Sequence, residues 1–188
     1  QIGNKGLIMV KMNINDGVQG GLELADVCAI SQVLVKECDI DILAISGGMI
    51  LENGLYMLRG GVPLKDMAKA QPSLVTKVAL WFLGPFLVPS IPFEEAFFRD
   101  GGLCVLKAVQ QEQQRQRESG EKKSAEETHV CLLGGIQSFT TLHEVLDKDG
   151  FSFVQCGRAL LRDPDIVKSW EKIDQIKKKN QERGAGGK

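Results

Sequence analysis

The stretch Val130-Cys131-Leu132-Leu133-Gly134-Gly135-Ile136-Gln137-Ser138 joins an apolar run directly to a glycine pair that precedes a helical pattern. Three further apolar runs occur, and none alternates apolar with polar residues as a sheet with one wet face does. Each run is followed by apolar residues at helical spacing. The repeated βα pattern predicts an α/β fold with a parallel sheet. Its predicted strands are Leu7–Val10, Ile42–Ile45, Val130–Leu133 and Phe151–Val154.

The composition is that of an average globular protein. The chain has 188 residues, of which 43% are hydrophobic and 25% charged, and its net charge is −1. A dedicated nucleic-acid binder normally carries a basic excess, so we predict no nucleic-acid partner. The longest candidate for a membrane span, residues 78–91, is interrupted by Gly84, Pro85 and Pro89, whereas a span needs roughly 18 apolar residues. We therefore also predict no membrane partner.

The cysteines and the first residue bear on the cellular setting. The five cysteines are scattered and contain no Cys-x-x-Cys pair, which argues against a disulfide scaffold and against a metal site. This usage favours a reduced, cytoplasmic compartment. The chain begins with Gln1 rather than Met, which we take as a hint that it is a fragment or a processed product.

The predicted strands are unevenly spaced within a domain that covers residues 1–176. Residues 47–100 are rich in glycine, proline and aromatic residues and are too apolar for a flexible linker, so we predict a βα-loop excursion over the end of the sheet. Residues 107–127 carry five basic and five acidic residues and have little to bury. They are predicted to form a helix end and a disordered polar loop. Residues 177–188 are predicted to be a basic flexible tail.

Gly134 and Gly135 are candidates for binding an anion. Two glycines after a strand let the backbone approach a ligand closely, and the amides of the turn and of the following helix would point at a phosphate. The alternative is a tight βα turn that needs positive φ angles. The glycine pair alone does not decide between the two interpretations.

Gly157 and Arg158 follow the next predicted strand. The glycine again permits close approach, and the guanidinium group presents a forked set of donors that suits phosphate. The alternative is a surface arginine paired with Asp163 or Asp165. Two glycine-containing turns after the last two strands match the phosphate grip common in (β/α)₈ barrels, which favours the binding interpretation.

Lys11 ends the first predicted strand. A lysine at the end of a fully apolar strand is costly unless it reaches a cleft that holds negative charge. The alternative is a side chain that extends to solvent at the strand end, and on sequence alone this is equally well supported.

Four segments together resemble the Old Yellow Enzyme family of NADH:flavin oxidoreductases. The similarity covers residues 6–170, and the long loop 92–98 is similar to that of a bacterial and fungal branch of the family. The closing motif, Gly-Arg-Ala-Leu-Leu-Arg-Asp-Pro, is the most specific of the four. The segments are Lys11-Met12-Asn13, Ile45-Ser46-Gly47-Gly48, Leu133-Gly134-Gly135-Ile136 and Gly157–Pro164.

The resemblance implies a (β/α)₈ barrel that binds FMN, of which this chain would be the C-terminal half, strands five to eight. It places Lys11 beside the N1–C2=O edge of the flavin, where a cation stabilises the charge that accumulates on reduction. It assigns the FMN phosphate to Gly134, Gly135, Gly157 and Arg158. It also implies NAD(P)H as hydride donor and an α,β-unsaturated carbonyl compound, or a similar small molecule, as acceptor.

The catalytic residues of the family belong to the missing N-terminal half, so none is assigned here and the chain alone is expected to be inactive. His129 and His143 are not at strand ends where they could substitute. The alternative to an ene-reductase is a non-catalytic half-barrel that serves as a binding or structural module, with association into a homo-oligomer as one way to complete a sheet. Another phosphate-binding flavin barrel is a third interpretation, which the closing motif disfavours.

Overall fold

The computed structural model describes residues 6–48, 59–60, 64–87, 91–120 and 127–185, with only the backbone at residues 87 and 180–185. The described strands form one parallel sheet in the order β1-β2-β3-β4, so each strand lies beside its neighbour in sequence. The predicted α/β fold with a parallel sheet is confirmed. The strands are β1 (Met9–Asn13), β2 (Ile42–Ser46), β3 (His129–Leu133) and β4 (Phe153–Gln155).

All four predicted strands differ from the observed bounds, β2 and β3 by one residue and β1 and β4 by more. β1 was expected over Leu7–Val10 but begins at Met9 and ends at Asn13, in register with Ile42 to Ser46 of β2. β4 was expected over residues 151–154 but covers Phe153–Gln155. The error has one cause in both cases. An apolar run does not by itself mark backbone pairing, because Leu7 is 74% exposed and Phe151 is buried, yet both lie outside the strands. The polar residues Lys11, Asn13 and Gln155, in contrast, are paired in the sheet.

Helices connect the strands and include two inside the predicted excursion. A π-helical turn, Glu144–Lys148, extends the fifth helix. Within the described ranges, none of these helices has the length and apolar character needed to cross a bilayer. The helices are α1 (Leu24–Glu37), α2 (Leu64–Ala70), α3 (Leu74–Leu87), α4 (Arg99–Ser119), α5 (Phe139–His143), α6 (Arg158–Arg162) and α7 (Ile166–Ala185).

Residues 107–127 were expected to form a helix end and then a disordered polar loop, and the helix continues as far as Ser119. α4 continues to Ser119 because its polar side chains still have partners, with Gln113 donating to the carbonyl of Thr128 at 3.0 Å and Gln116 donating to that of Val35 at 3.4 Å. Residues 121–126 of that stretch lie outside the described residues. The tail expected to be flexible from residue 177 is helical as far as Ala185.

One face of the sheet holds the main core. Leu43, Ile45 and Leu132 are fully buried there, in one cluster with apolar residues of α1, α4 and α7. A Cβ on Gly102 would lie 2.6 Å from Cδ1 of Ile45, so glycine lets α4 lie close against β2. The packing explains why alternate residues of β2 and β3 are apolar on this side.

The opposite face of the sheet is much less covered. It carries a small separate cluster of Ile42, Ala44 and Cys131. The neighbours of these residues in the strand register, Met9 and Phe153, are 50% and 45% exposed. The sheet therefore has one face under helices and one face open at its edge strands.

Candidate functional site

A cavity of about 200 Å³ lies at the carboxyl ends of the four strands. In parallel α/β sheets this edge is the usual place for a ligand, because the loops that follow the strands converge there. Segments from all four strands reach the cavity, together with two phenylalanines that precede α4. The lining residues are Lys11, Ser46, Gly47, Phe97, Phe98, Leu133, Gly135, Ile136, Gln137, Gln155, Cys156, Gly157, Arg158 and Ala159.

Four of the five residues predicted to bind the cofactor line this cavity. They are Lys11, Gly135, Gly157 and Arg158. The fifth, Gly134, does not line it. Its carbonyl oxygen accepts a hydrogen bond from the amide of Phe97 at 3.0 Å, so Gly134 contacts the segment before α4 instead.

The glycine pair forms a tight turn that only glycine accommodates well. The φ angles are 141° at Gly134 and 75° at Gly135, in the region that side chains disfavour. A Cβ at Gly135 would also lie 3.1 Å from the ring of Phe93. Gly157 differs, because its φ is −102° and a Cβ there would meet open space. Glycine at 157 leaves the cavity clear at that point.

Lys11 lies inside β1 rather than at its end, which corrects the sequence-based placement. It pairs in register with Ala44, on the face of the sheet that the helices leave open. The side chain is exposed and contributes to the wall of the cavity. The small side chain of Ala44 beside it leaves the lysine room to extend toward that cavity.

Arg158 does not pair with either aspartate that the alternative interpretation offered. Its Nη1 donates to the backbone carbonyl of Arg59 at 2.7 Å. Asp165 instead forms an ion pair with Lys168 at 2.7 Å, and Asp163 accepts from the amide of Asp165 at 3.0 Å. Arg158 therefore joins the cavity to the excursion after β2.

The amides expected to point at a phosphate are bonded to a side chain of the protein. The backbone N–H groups of Gln137 and Ser138 both donate to Oε1 of Glu95, at 2.9 Å and 2.7 Å. The hydroxyl groups of Ser138 and Thr141 donate to Oε2 of the same carboxylate. For Gln137 and Ser138, the prediction that the amides face a ligand is wrong, because Glu95 already provides the anion at the start of α5.

The environment of Glu95 stabilises its charged form. Burial alone would raise the pKa of this carboxyl group, but the hydrogen bonds from Ser138, Thr141 and the two amides outweigh it and lower the pKa below 4.5. At neutral pH the group is thus a carboxylate whose charge is shared among four donors. It ties the segment before α4 to the turn after β3.

An aromatic wall continues from Glu95 along the cavity. The rings of Phe97 and Phe98 have centroids 4.4 Å apart, and Phe98 is buried with its ring over Gly47. The guanidinium group of Arg59 lies 5.0 Å from the centroid of Phe97 and forms an ion pair with Glu94 at 3.1 Å. Sequence reasoning assigned no role to Glu95, Arg59 or these rings, although the segment 92–98 was noted as part of the resemblance.

The remaining candidates for chemistry lie elsewhere or are inert. Cys156 lines the cavity, and burial raises the pKa of its thiol, so the neutral form is favoured there. His129 begins β3 at the other edge of the sheet and contacts Ser152 at 2.9 Å. His143 forms a pair with Asp147 within one helical stretch. Tyr56 lies outside the described residues.

Comparison with known proteins relates this chain to part of an oxidoreductase. It is 38% identical over 175 residues to the 4,4'-dithiodibutanoate disulfide reductase of Rhodococcus erythropolis. The aligned region covers 92% of this chain but 39% of that relative. No protein-family model matches the chain.

We expect Glu95→Gln to loosen the turn after β3. The glutamine oxygen can still accept from the amides, but its NH₂ group cannot accept from the two hydroxyls and the negative charge is lost. The free energy of unfolding should fall at neutral pH by about 1.5–3 kcal/mol, the range for hydrogen bonds to a charged group. Urea unfolding of the purified protein measures this.

The loss of stability caused by Glu95→Gln should depend on pH. Because the folded pKa of Glu95 is lowered, its stabilising contribution is present above the ordinary value of 4.5 and disappears as the pH falls through the folded pKa. The difference between wild type and variant should therefore shrink in acid. Glu94→Gln is the matched control, since Glu94 is exposed and forms one ion pair. Equal destabilisation by both substitutions would contradict the role of Glu95.

Proposed function

We propose that this chain is the phosphate-binding half of an FMN-dependent NAD(P)H oxidoreductase built on a (β/α)₈ barrel. The four parallel strands in sequential order, with helices on one face, support strands five to eight of such a barrel. The open face supports it as well. Met9, Lys11 and Phe153 would face the interior that the first four strands close.

The observation that carries the proposal is the meeting of Lys11, Gly157 and Arg158 in one cavity. The loops that bear Gly135 and Arg158 follow the last two strands, where (β/α)₈ barrels commonly bind phosphate. The site combines two cationic side chains with the clear space beside Gly157. Arg158 and this clear space suit the phosphate group, whereas Lys11 suits the flavin ring.

The cavity fits part of FMN rather than the whole of it. Its volume of about 200 Å³ is below the roughly 300–1,000 Å³ of complete small-molecule sites. The described residues would hold the phosphate, the part of FMN next to it and the flavin edge that faces Lys11. The relative is longer, and this chain spans 39% of it. The rest of the site would come from a part of the protein that corresponds to the remainder of that relative.

Each cation has a distinct role in the proposal. Bound FMN would supply the redox chemistry by taking a hydride from NAD(P)H and passing two electrons to an acceptor. Arg158, already oriented by the Arg59 carbonyl, would bind the phosphate with its remaining N–H donors. Lys11 would place its ammonium group at the flavin edge that gains negative charge.

Two acceptor classes are compatible with this function. The relative is named for the reduction of a disulfide, and for this protein we propose an organic disulfide, which takes two electrons and two protons to give two thiols as the S–S bond breaks. An α,β-unsaturated carbonyl compound is the second candidate, and it would take a hydride at the β-carbon and a proton at the α-carbon. Both reactions consume one NAD(P)H and one proton.

The open face is also compatible with an alternative, in which the chain has a non-catalytic role. A second cavity of about 450 Å³ lies at the amino ends of the strands, lined by Leu7, Asp41, Ile42, Glu127, His129 and Phe153. Such an exposed edge and face need a covering partner. In this alternative, two copies of the half-barrel cover each other and no flavin chemistry takes place.

The direct test uses the full-length protein. We expect the purified protein to show the absorbance bands of oxidised flavin, and to oxidise NADH or NADPH when 4,4'-dithiodibutanoate is added. Cyclohexenone in a parallel assay distinguishes the second acceptor class. A protein without flavin that also fails to take up added FMN would contradict the proposal and favour the structural role.

Arg158→Ala should weaken the retention of FMN. Loss of one charge-assisted hydrogen bond to phosphate costs about 1.5–3 kcal/mol, or roughly a 10- to 150-fold loss in affinity. Flavin occupancy after dialysis measures it. Arg162→Ala is the control on the same helix, because Arg162 bonds to Gln137 and does not line the cavity. Equal occupancy in both variants would show that Arg158 does not hold the phosphate.

Lys11→Met should change the redox potential of the flavin more than its retention. Removing a cation near the reduced ring disfavours the negative charge, so the potential falls by roughly 20–60 mV for a change of about 1–3 kcal/mol. A redox titration against a reference dye measures the shift. Lys36→Met, on the exposed part of α1, should leave the potential unchanged. A potential equal to wild type would place the Lys11 ammonium group in solvent.

A further inference from the structure

The hairpin formed by α2 and α3 exposes an unusual amount of apolar surface. Within residues 74–87, which form α3, Lys77 is the single charged residue. Gly84 is buried against Leu64 of α2, and most of the remaining helix surface faces outward. The exposed fractions are 76% for Leu74, 79% for Val75, 61% for Trp81 and 88% for Phe86.

A helix that is apolar around most of its circumference is normally covered, by protein or by lipid. Large exposed apolar patches on soluble domains mark interaction surfaces. The described residues offer nothing that covers the outward side of α3. The question is therefore which kind of surface this hairpin contacts.

The charges of the hairpin indicate a negatively charged partner. Lys65, Lys69 and Lys77 surround a shallow cavity of about 430 Å³ that also contains Trp81 and Phe82. The described hairpin contains three lysines against one aspartate, Asp66, which pairs with Lys69 at 3.1 Å. Basic groups beside large apolar side chains match a surface that has anionic groups above hydrocarbon.

We propose that the α2–α3 hairpin docks on a membrane surface that contains anionic lipids. α3 has 14 residues and is about 21 Å long, too short to span a hydrocarbon core of roughly 30 Å. It lies in the plane of the interface, with Trp81, Phe82 and Phe86 at the level of the acyl chains. The lysines extend their stems along this surface and reach the lipid phosphates.

A small anionic ligand explains less of the surface. It would fill the cavity beside Val78, Trp81 and Phe82 but leave Val75 and Phe86 in water. A bilayer covers both groups at once. This proposal revises the sequence-based expectation of no membrane partner, which rested on the absence of a spanning segment. It does not depend on the proposed flavin chemistry.

Co-sedimentation of the full-length protein with vesicles tests the proposal. We expect binding to phosphatidylcholine vesicles that contain phosphatidylserine, weaker binding to phosphatidylcholine alone, and a fall at high salt to the level seen with phosphatidylcholine alone. Lys65→Gln/Lys69→Gln/Lys77→Gln should weaken binding about tenfold or more. The matched control carries the same change at three exposed lysines on other helices, Lys107, Lys172 and Lys179.

A second measurement locates the contact. Brominated lipids should quench tryptophan fluorescence, and the quenching should disappear in Trp81→Phe, which keeps an apolar ring. Val75→Ser/Phe86→Ser should reduce binding without lowering the midpoint of thermal unfolding, because both side chains are exposed. If the wild type ignores anionic vesicles at low salt, or if the lysine and control variants bind alike, the hairpin is covered by protein and the proposal is wrong.

Discussion

The carboxylate of Glu95 connects two parts of the chain that are 42 or more residues apart in sequence. It accepts hydrogen bonds from two backbone amides and two hydroxyl groups at the start of α5. In the same segment, the amide of Phe97 donates a hydrogen bond to the carbonyl oxygen of Gly134. These bonds fix the glycine turn against the aromatic wall. Because the cavity lies between that turn and the turn at Gly157, its shape depends on this one carboxylate.

The same interaction decides how an anion can bind at this edge of the sheet. The amides of Gln137 and Ser138 are satisfied within the protein, so a bound phosphate has to rely on Arg158 from the other side of the cavity. The negative charge of Glu95 does not oppose this strongly, since its hydrogen bonds distribute that charge over four donors. An arginine oriented by a backbone carbonyl is well suited to the task, because little side-chain entropy remains to be lost.

The sequence was sufficient to predict the class of fold and four of the residues that line the cavity. Apolar runs without alternation indicated a parallel sheet, and residues that follow parallel strands necessarily meet at one edge, which brought Gly135, Gly157 and Arg158 together. The position of Glu95 could not be derived in this way, since its contacts join distant segments and leave no periodic signal. The extent of the helix in residues 107–119, where only a helix end was expected, was underestimated for a related reason. Its glutamines are held by carbonyl groups on other elements, and composition does not show such partners.

Two surfaces of this chain are incomplete, and they differ in chemistry. The open face of the sheet sets Lys11 and Gln155 beside Met9 and Phe153, so it combines polar groups at the cavity end with apolar side chains along the strands. Polar groups at fixed positions call for equally fixed partners, which a folded protein surface supplies and a fluid bilayer does not. The α2–α3 hairpin has the opposite character, with lysine side chains beside a largely apolar helix. A lipid surface satisfies that combination without any specific geometry, and for this reason we assign the open face to protein and the hairpin to membrane.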